Sequence, residues 1–475
     1  MNMELIKSIL VKSAFCLISL LLFPFSLFAK KTKPNVLFIL IDDLGWIDLS
    51  YAGSSFYETP NIDRLRSQGM MFTNAYSACP VSSSSRASIL TGKNPAHLQF
   101  TGHITAIGRH RYPAHGRIIP PKDKMYVGLE EVMISEALKE IGYKTISIGK
   151  WHVGNVEKYF PENQGFDINI AGYEHGSPST YWAPYSNPDL DWNPKIKNLS
   201  DGVPGEYLTD RLTDEAIGFI RDNRDKPFFM YLSHYAVHTP LEAPTGLVRK
   251  YEKKMLTDKS QKSAVYAAMI EVVDKNIGRL LGELDALGLT DDTIIFFCSD
   301  NGGTTEATIN TPLREGKGFL YEGGIRIPLV VKWPGKIAGN TTCDEMVITD
   351  DFYPTIINMV KNGSKSPEDI DGISMLPLLK GKKSLKSDML CWYYPHYSPQ
   401  AQMPGYAIRK GDFKMIEHYD PVKVELFNLK DDPAEMRNLA ESNPGKVKEM
   451  KKMFDIWLKK MNPVMHTLNP DYEGK

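Results

Sequence analysis

Short, unbroken apolar runs alternate along the chain with longer stretches of helical periodicity. Pro34 to Ile41 (PNVLFILI) is apolar on both alternating faces from Val36 onward, and it stops abruptly at Asp42-Asp43-Leu44-Gly45. A run this short, without polar alternation, predicts a strand covered on both sides in the middle of a parallel sheet. Thr145 to Ile148, Phe228 to Leu232 and Thr293 to Cys298 repeat the signal. Between them Leu129 to Ile141, Thr209 to Ile220 and Ser263 to Leu284 carry helical spacing, with Leu212, Ala216, Phe219 and Ile220 on one face. This alternation predicts an α/β fold: a large, mostly parallel sheet sandwiched by helices. In such sheets polar groups just past the strand ends collect along one edge, where ligands bind.

The pattern changes after Leu376 to Gly381. Tyr406 to Arg409, Phe413 to Ile416 and Glu425 to Asn428 read as short strands of a small antiparallel sheet, and Lys446 to Lys460 as an amphipathic helix. The expected organisation is an α/β domain over residues 30–384 and a C-terminal subdomain over residues 385–475. At the other end, Lys7 and Lys12 precede an apolar run from Ser13 to Phe28, closed by Ala29 and Lys30-Lys31. Residues 1–29 therefore read as a secretory signal peptide. The run falls short of the ~20 residues a spanning helix needs. The expected location is exported, periplasmic or secreted, with no transmembrane span in the mature chain.

Composition adds two limits. With 56 basic and 57 acidic side chains the formal net charge is −1, which argues against a nucleic-acid partner drawn in by bulk charge. An anionic ligand has to be held by a local cluster. Of the five cysteines, Cys79, Cys298, Cys343 and Cys391 lie beyond the signal peptide, none with metal-ligand or CxxC spacing. Export permits disulfides, whose pairing the spacing leaves open.

Candidate chemistry sits at the predicted strand ends and on one serine run. Asp42-Asp43 and Asp300-Asn301 offer three carboxylates and an amide oxygen, a hard donor set suited to calcium or magnesium rather than zinc. Singly, either pair could equally cap a helix or make a turn. Lys150 and His152, two apart in Gly149-Lys150-Trp151-His152, point the same way if the segment is extended, placing a cation beside a titratable imidazole. His238 and Lys317 stand in two further loops, Ser233 to Pro240 and Gly316 to Arg326, where Glu322 and Arg326 read as structural partners. Ser82-Ser83-Ser84-Ser85-Arg86 runs into Ala87-Ser88-Ile89-Leu90-Thr91-Gly92. If Ser82 opens a helix, Arg86 lies one turn on along the same face, where its guanidinium can grip anionic oxygens. Serine runs also serve as flexible linkers.

Taken in order, these segments resemble the type I sulfatases of the alkaline phosphatase superfamily. The family signature is Cys or Ser, any residue, usually Pro or Ala, any residue, Arg, then a short run to Leu-Thr-Gly. Counting back from Arg86 selects Ser82 rather than Cys79, and Ser84 stands where Pro or Ala is commoner. The resemblance spans about Pro34 to Leu439, including Ala407 to Lys414 and Glu425 to Pro433 in the small subdomain. It implies that a maturase converts Ser82 to formylglycine, whose hydrate attacks sulfur. It implies one calcium ion held by Asp42, Asp43, Asp300, Asn301 and residue 82, with Arg86, Lys150 and Lys317 on the sulfate. His152 would then release the sulfated enzyme, and His238 with Lys317 would protonate the leaving alcohol.

The substrate is less sharply marked. His103 to Arg117 contains His103, Arg109, His110, Arg111, His115 and Arg117 and no acid; it reads either as a grip for a glycan or as a solvated basic loop. Tyr181, Trp182, Tyr185 and the segment Cys391 to Tyr397 supply aromatic faces that pack a core or stack on sugars, with His396 as a candidate subsite residue. The resemblance to exported bacterial glycan sulfatases implies a sulfated carbohydrate, with sulfated galactose or N-acetylgalactosamine units expected. Two alternatives stay open: a phosphatase or phosphodiesterase of the same superfamily, using an unmodified hydroxyl and two zinc ions, and an inactive glycan-binding homologue in which Ser82 is never modified.

Overall fold

The computed structural model describes residues 33–104, 116–122, 124–190, 195–361, 369–385, 387–401 and 403–473. The expected signal peptide lies outside them. Eight strands form the main sheet: β1 (Asn35–Ile41), β2 (Met70–Phe72), β3 (Lys144–Gly149), β4 (Ile168–Ile170), β5 (Phe228–His234), β6 (Thr293–Ser299), β7 (Leu329–Lys332) and β8 (Thr341–Cys343). Their spatial order is β8-β2-β7-β6-β1-β5-β3-β4. Only β7 runs against its neighbours in this sheet. β1 lies between β5 and β6 and is buried along its whole length, which is why its sequence shows no polar alternation.

Phe38 stacks across the sheet on Tyr231 and Phe296, each at 5.8 Å between ring centres. Phe352, which opens the helix Phe352–Val360, meets Phe38 and Phe296, each at 5.9 Å, and covers that face. The helices α1 (Ser82–Thr91), α2 (Ile134–Glu140), α3 (Leu208–Asp222) and α4 (Ala264–Ala286) complete the layers that position the site. The helical pattern expected from Leu129 begins only at Ile134. The Glu136 carboxylate accepts the Met133 N–H at 2.8 Å and closes the helix start, leaving Leu129 and Val132 exposed outside it.

Near the C-terminus, β9 (Met389–Tyr394), β10 (Gly405–Lys410), β11 (Phe413–Tyr419) and β12 (Val422–Asn428) pair antiparallel in chain order. On one face Tyr406 stacks at 3.7 Å on Phe454 of the helix α5 (Pro444–Met461). On the other, Trp392, Ile416 and Phe427 share an apolar cluster with Tyr76, Val81 and Leu320. The described residues form one compact unit. Among them no helix is long and apolar enough to cross a membrane.

Candidate active site

Because β1, β3, β5 and β6 run parallel, the segments that follow them emerge at one edge of the sheet. Asp42 and Asp43 follow β1. In an extended chain their side chains would face opposite ways, but Asp43 takes a left-handed backbone (φ 59°). That conformation is uncommon for a non-glycine residue, and here it turns both carboxylates onto one centre. The turn is pinned by Asp42 N–H to Ala236 O (3.0 Å), Asp43 N–H to Asp300 Oδ1 (3.2 Å) and Leu44 N–H to Ser299 Oγ (3.0 Å). Oxygens of Asp42, Asp43 and Asp300, all buried, lie within 4.8 Å of one another. Asn301 donates from Nδ2 to Asp43 Oδ1 at 2.8 Å, so its amide oxygen is the atom left facing the serine run.

The serine run is no linker. It opens α1, in which every residue is buried. Ser82 Oγ lies 3.2 Å from Asp42 Oδ1 and 3.1 Å from Asn301 Oδ1. One turn later Arg86 reaches Asp300 Oδ2 through Nε (2.9 Å) and Nη2 (2.8 Å), with Nη2 also 3.3 Å from Asp42 Oδ1. Its Nη1 donates to Lys150 O at 3.2 Å and to Ser233 Oγ. The guanidinium thus ties the carboxylates together at the base of the site. The neighbouring serines face the segment that follows α1: Ser84 Oγ donates to Gly102 O at 2.5 Å, and Ser83 Oγ accepts Ile104 N–H at 3.0 Å. A proline or alanine at position 84 could not make that bond.

Lys150 Nζ sits 3.0 and 2.7 Å from the two Asp42 oxygens, and Lys317 Nζ donates to Asp43 Oδ2 at 2.7 Å. The Lys150–His152 segment is not extended: Gly149 has φ 92° and His152 φ 61°. The turn puts Lys150 on Asp42 and His152 against Ser83, next to Ser82. His152 Nε2 donates to Ile104 O at 3.0 Å, which leaves Nδ1, 3.3 Å from Ser83 Oγ, as the basic nitrogen. A Cβ on Gly176 would meet the His152 ring at 2.4 Å, so only a glycine lets that backbone cover the imidazole. His238 Nδ1 donates to Thr239 O at 2.9 Å, and its Nε2 is 3.6 Å from Asp43 Oδ2.

The electrostatics are those of a desolvated, nearly balanced cluster. Burial pushes Asp42 up to about 7 against the pull of Lys150. Burial also acts on Asp300, but Arg86, Lys150 and Lys317 outweigh it and hold that carboxyl well below its usual range. Burial brings Lys150 down to about 8. Burial, reinforced by Lys150, holds His152 far below an ordinary imidazole, so it stays neutral. Three carboxylates face three cationic side chains. A divalent cation fits this all-oxygen donor set, and with it the centre would carry net positive charge, as an anionic ester requires.

The other expected residues fall in different places. His103 is partly buried, with its ring edge-on to His152 at 4.8 Å. His396 is buried, with Nε2 2.8 Å from Thr101 Oγ1. Arg109 and Arg111 lie outside the described residues; Arg117 is described, and its N–H donates to Asp420 Oδ2 at 2.8 Å. Tyr181, Tyr185, Trp392, Tyr393 and Tyr394 are buried and pack the core; Tyr181 OH braces the Tyr235 and His238 carbonyls at 2.8 Å. Sequence reading missed Asp48, which accepts from Gly45 N–H (2.8 Å), Tyr266 OH (2.7 Å) and Thr308 Oγ1 (2.7 Å) beneath the Asp43 turn. Cys79 is buried three residues before Ser82, its Sγ 3.5 Å from Thr101 O. Cys79→Ser is expected to keep turnover within about twofold, a small polar swap away from the reacting atoms. Loss of turnover in that variant, with Ser82→Ala still active, would shift the nucleophile by three residues.

Known proteins resemble the chain over most of its length. The sulfatase family profile matches residues 34–361, and the profile for the C-terminal region of N-sulphoglucosamine sulphohydrolase matches residues 316–462. The chain is 33% identical to a sulfatase of Formosa agariphila, covering 90% of this chain and 89% of that protein. It is 33% identical to N-acetylgalactosamine-6-sulfatase of Mus musculus, over 74% of this chain and 67% of that one. Among solved structures, Ps i-CgsB in complex with k-i-k-neocarrahexaose superposes with a TM-score of 0.75 at 28% identity, covering 90% of this chain and 93% of the other. Since the sulfatase match runs from before Asp42 to beyond Lys317, it takes in the whole buried cluster: the chain belongs to the type I sulfatase family and is a sulfuric ester hydrolase.

Proposed function

We propose that the chain hydrolyses sulfate esters on carbohydrates, using a formylglycine made from Ser82 by a maturase and one bound calcium ion. The observation that carries this reading is the position of Ser82 Oγ, buried at a helix start between Asp42 and Asn301. Asp42, Asp43, Asp300, Asn301 and the oxygen of residue 82 would hold the ion, whose charge favours ionisation of a nearby hydroxyl and attracts the sulfate.

As an aldehyde hydrate, residue 82 carries two hydroxyls. One hydroxyl passes its proton to Asp42 Oδ1, which lies 3.2 Å from Ser82 Oγ, and its oxygen bonds sulfur as the bond from sulfur to the sugar oxygen breaks; Lys317, with His238 beside it at Asp43, delivers the proton that sugar oxygen needs. Lys150 and Lys317 offset charge on the sulfate oxygens. His152 Nδ1 then takes the proton of the second hydroxyl; the carbonyl reforms, the bond to the sulfated oxygen breaks and sulfate leaves. A plain serine ester would have no second hydroxyl and would have to wait for hydrolysis.

Sulfated galactose or N-acetylgalactosamine units are the substrate class. Support comes from the relative named N-acetylgalactosamine-6-sulfatase and from the neighbour solved with neocarrahexaose. The signal-like residues 1–29 make the enzyme an exported one, periplasmic or secreted. The test is sulfate release by matured enzyme from sulfated galactose and N-acetylgalactosamine oligosaccharides, with the matching phosphate esters in parallel. Cleavage of the phosphate esters alone would favour the phosphatase alternative.

If the basic segment grips the glycan, replacing Arg109, Arg111 and Arg117 with Ala raises KM on a sulfated oligosaccharide about tenfold, as the loss of three solvent-screened ionic contacts to the substrate would. The effect shrinks at high salt. An unchanged KM would leave the segment a solvated loop.

A further inference from the structure

We infer that His103 is a specificity residue whose imidazole hydrogen-bonds a hydroxyl of the sugar, beside the sulfated carbon. This rests on the glycan-sulfatase reading and sharpens it. In sequence His103 belongs to a basic stretch suited to anions. Its surroundings give it a different role.

The residue is held in place from both sides. Thr101 Oγ1 bonds His396 Nε2 at 2.8 Å, Gly102 O accepts Ser84 Oγ–H at 2.5 Å, and Ile104 bonds Ser83 Oγ through N–H at 3.0 Å and His152 Nε2 through O at 3.0 Å. The segment is thereby stapled to the start of α1, beside the nucleophile. His103 meets His152 edge-on at 4.8 Å, and Lys317, Lys150, His238 and Asp43 all lie close enough to act on it electrostatically. It therefore lies near the groups assigned to the sulfate and the leaving oxygen.

His103 Nδ1 is buried and has no hydrogen-bond partner among the described residues. Leaving a buried imidazole nitrogen unpaired is costly, and a preorganised, unpaired nitrogen beside a reacting centre is what a ligand group can complete. Burial, with Lys317 and Lys150, pushes the ring down to about 3, so it does not serve as a cation for sulfate. A neutral imidazole nitrogen either accepts or donates, and a sugar hydroxyl satisfies both cases. A second sulfate or a carboxylate, which only accepts, satisfies one.

The test compares kcat/KM of the matured enzyme on a sulfated sugar and on its deoxy analogue lacking the hydroxyl next to the ester. The wild type is expected to prefer the hydroxylated sugar roughly 10- to 100-fold, the range for one buried hydrogen bond. His103→Phe keeps a ring against His152 and should bring that ratio to within about threefold of unity, whatever its overall rate. His103→Gln, which restores a polar group, should recover part of the preference. A ratio unchanged in His103→Phe, or no preference in the wild type, overturns the assignment. A uniform loss on both sugars with the ratio intact would make His103 a positioning residue for His152 and also overturns it. Failure of the underlying reading looks different: the wild type would cleave an aryl sulfate and neither sugar.

Discussion

Ser82→Ala is expected to abolish sulfate-ester cleavage, lowering kcat by roughly 10⁴-fold or more, as removal of a nucleophile does elsewhere. The fold should survive. Ser82 contributes one hydroxyl between Asp42 and Asn301, and losing one such hydrogen bond costs about 1 kcal/mol. Helix α1 stays anchored by Ser83, Ser84 and Arg86, which bond to Ile104, Gly102 and Asp300. Circular dichroism and the melting temperature check the fold, and sulfate release checks the chemistry. Retention of more than about one percent of wild-type turnover would be incompatible with a nucleophile at position 82.

Asp300→Ala should have the largest structural effect. Its Oδ2 takes two short contacts from the fully buried Arg86, and its Oδ1 accepts the Asp43 N–H. Removing one partner of a buried ion pair typically costs about 3–5 kcal/mol, because the other charge stays desolvated. The same change deletes one of three converging carboxylates. The wild-type melting temperature should rise with added calcium, by the linkage between binding and folding. The variant should melt lower and lose most of that response. Elemental analysis should find one calcium per wild-type chain. Two zinc ions per chain would point to the phosphatase alternative, and an undiminished calcium response in the variant would remove Asp300 from the ligand set.

The central strands were legible because burial on both faces leaves a short apolar run with no alternation, as in Val36 to Ile41. The site residues were legible through chemistry at fixed spacing: paired acids after two strands, and Ser82 one turn from Arg86. Backbone conformation was not. Nothing in the letters Asp42-Asp43 announces that the second residue turns left-handed, yet that turn brings both carboxylates inward. The same holds for Lys150 and His152, which are placed on Asp42 and Ser83 by a turn with positive φ at Gly149 and His152 and not by strand geometry. β2 and β7 escaped notice because three or four residues carry too little periodicity to separate strand from loop. Asp48 escaped because its partners Tyr266 and Thr308 lie more than two hundred residues away. His103 read as one member of a basic stretch; only the bonds of Gly102 and Ile104 to the serine run separate it from its arginine neighbours.

Trypsin cleavage after Arg66 and Arg86 releases the peptide Ser67 to Arg86, which contains residue 82. Its mass in enzyme that is releasing sulfate tests the account most directly. Oxidation of the serine hydroxyl to an aldehyde removes two hydrogens, so active enzyme should yield a peptide ~2 Da lighter than the encoded sequence. The lighter fraction should rise and fall with specific activity across preparations made with and without the maturase. Full sulfatase activity from enzyme whose peptide retains the unmodified serine mass would contradict the account.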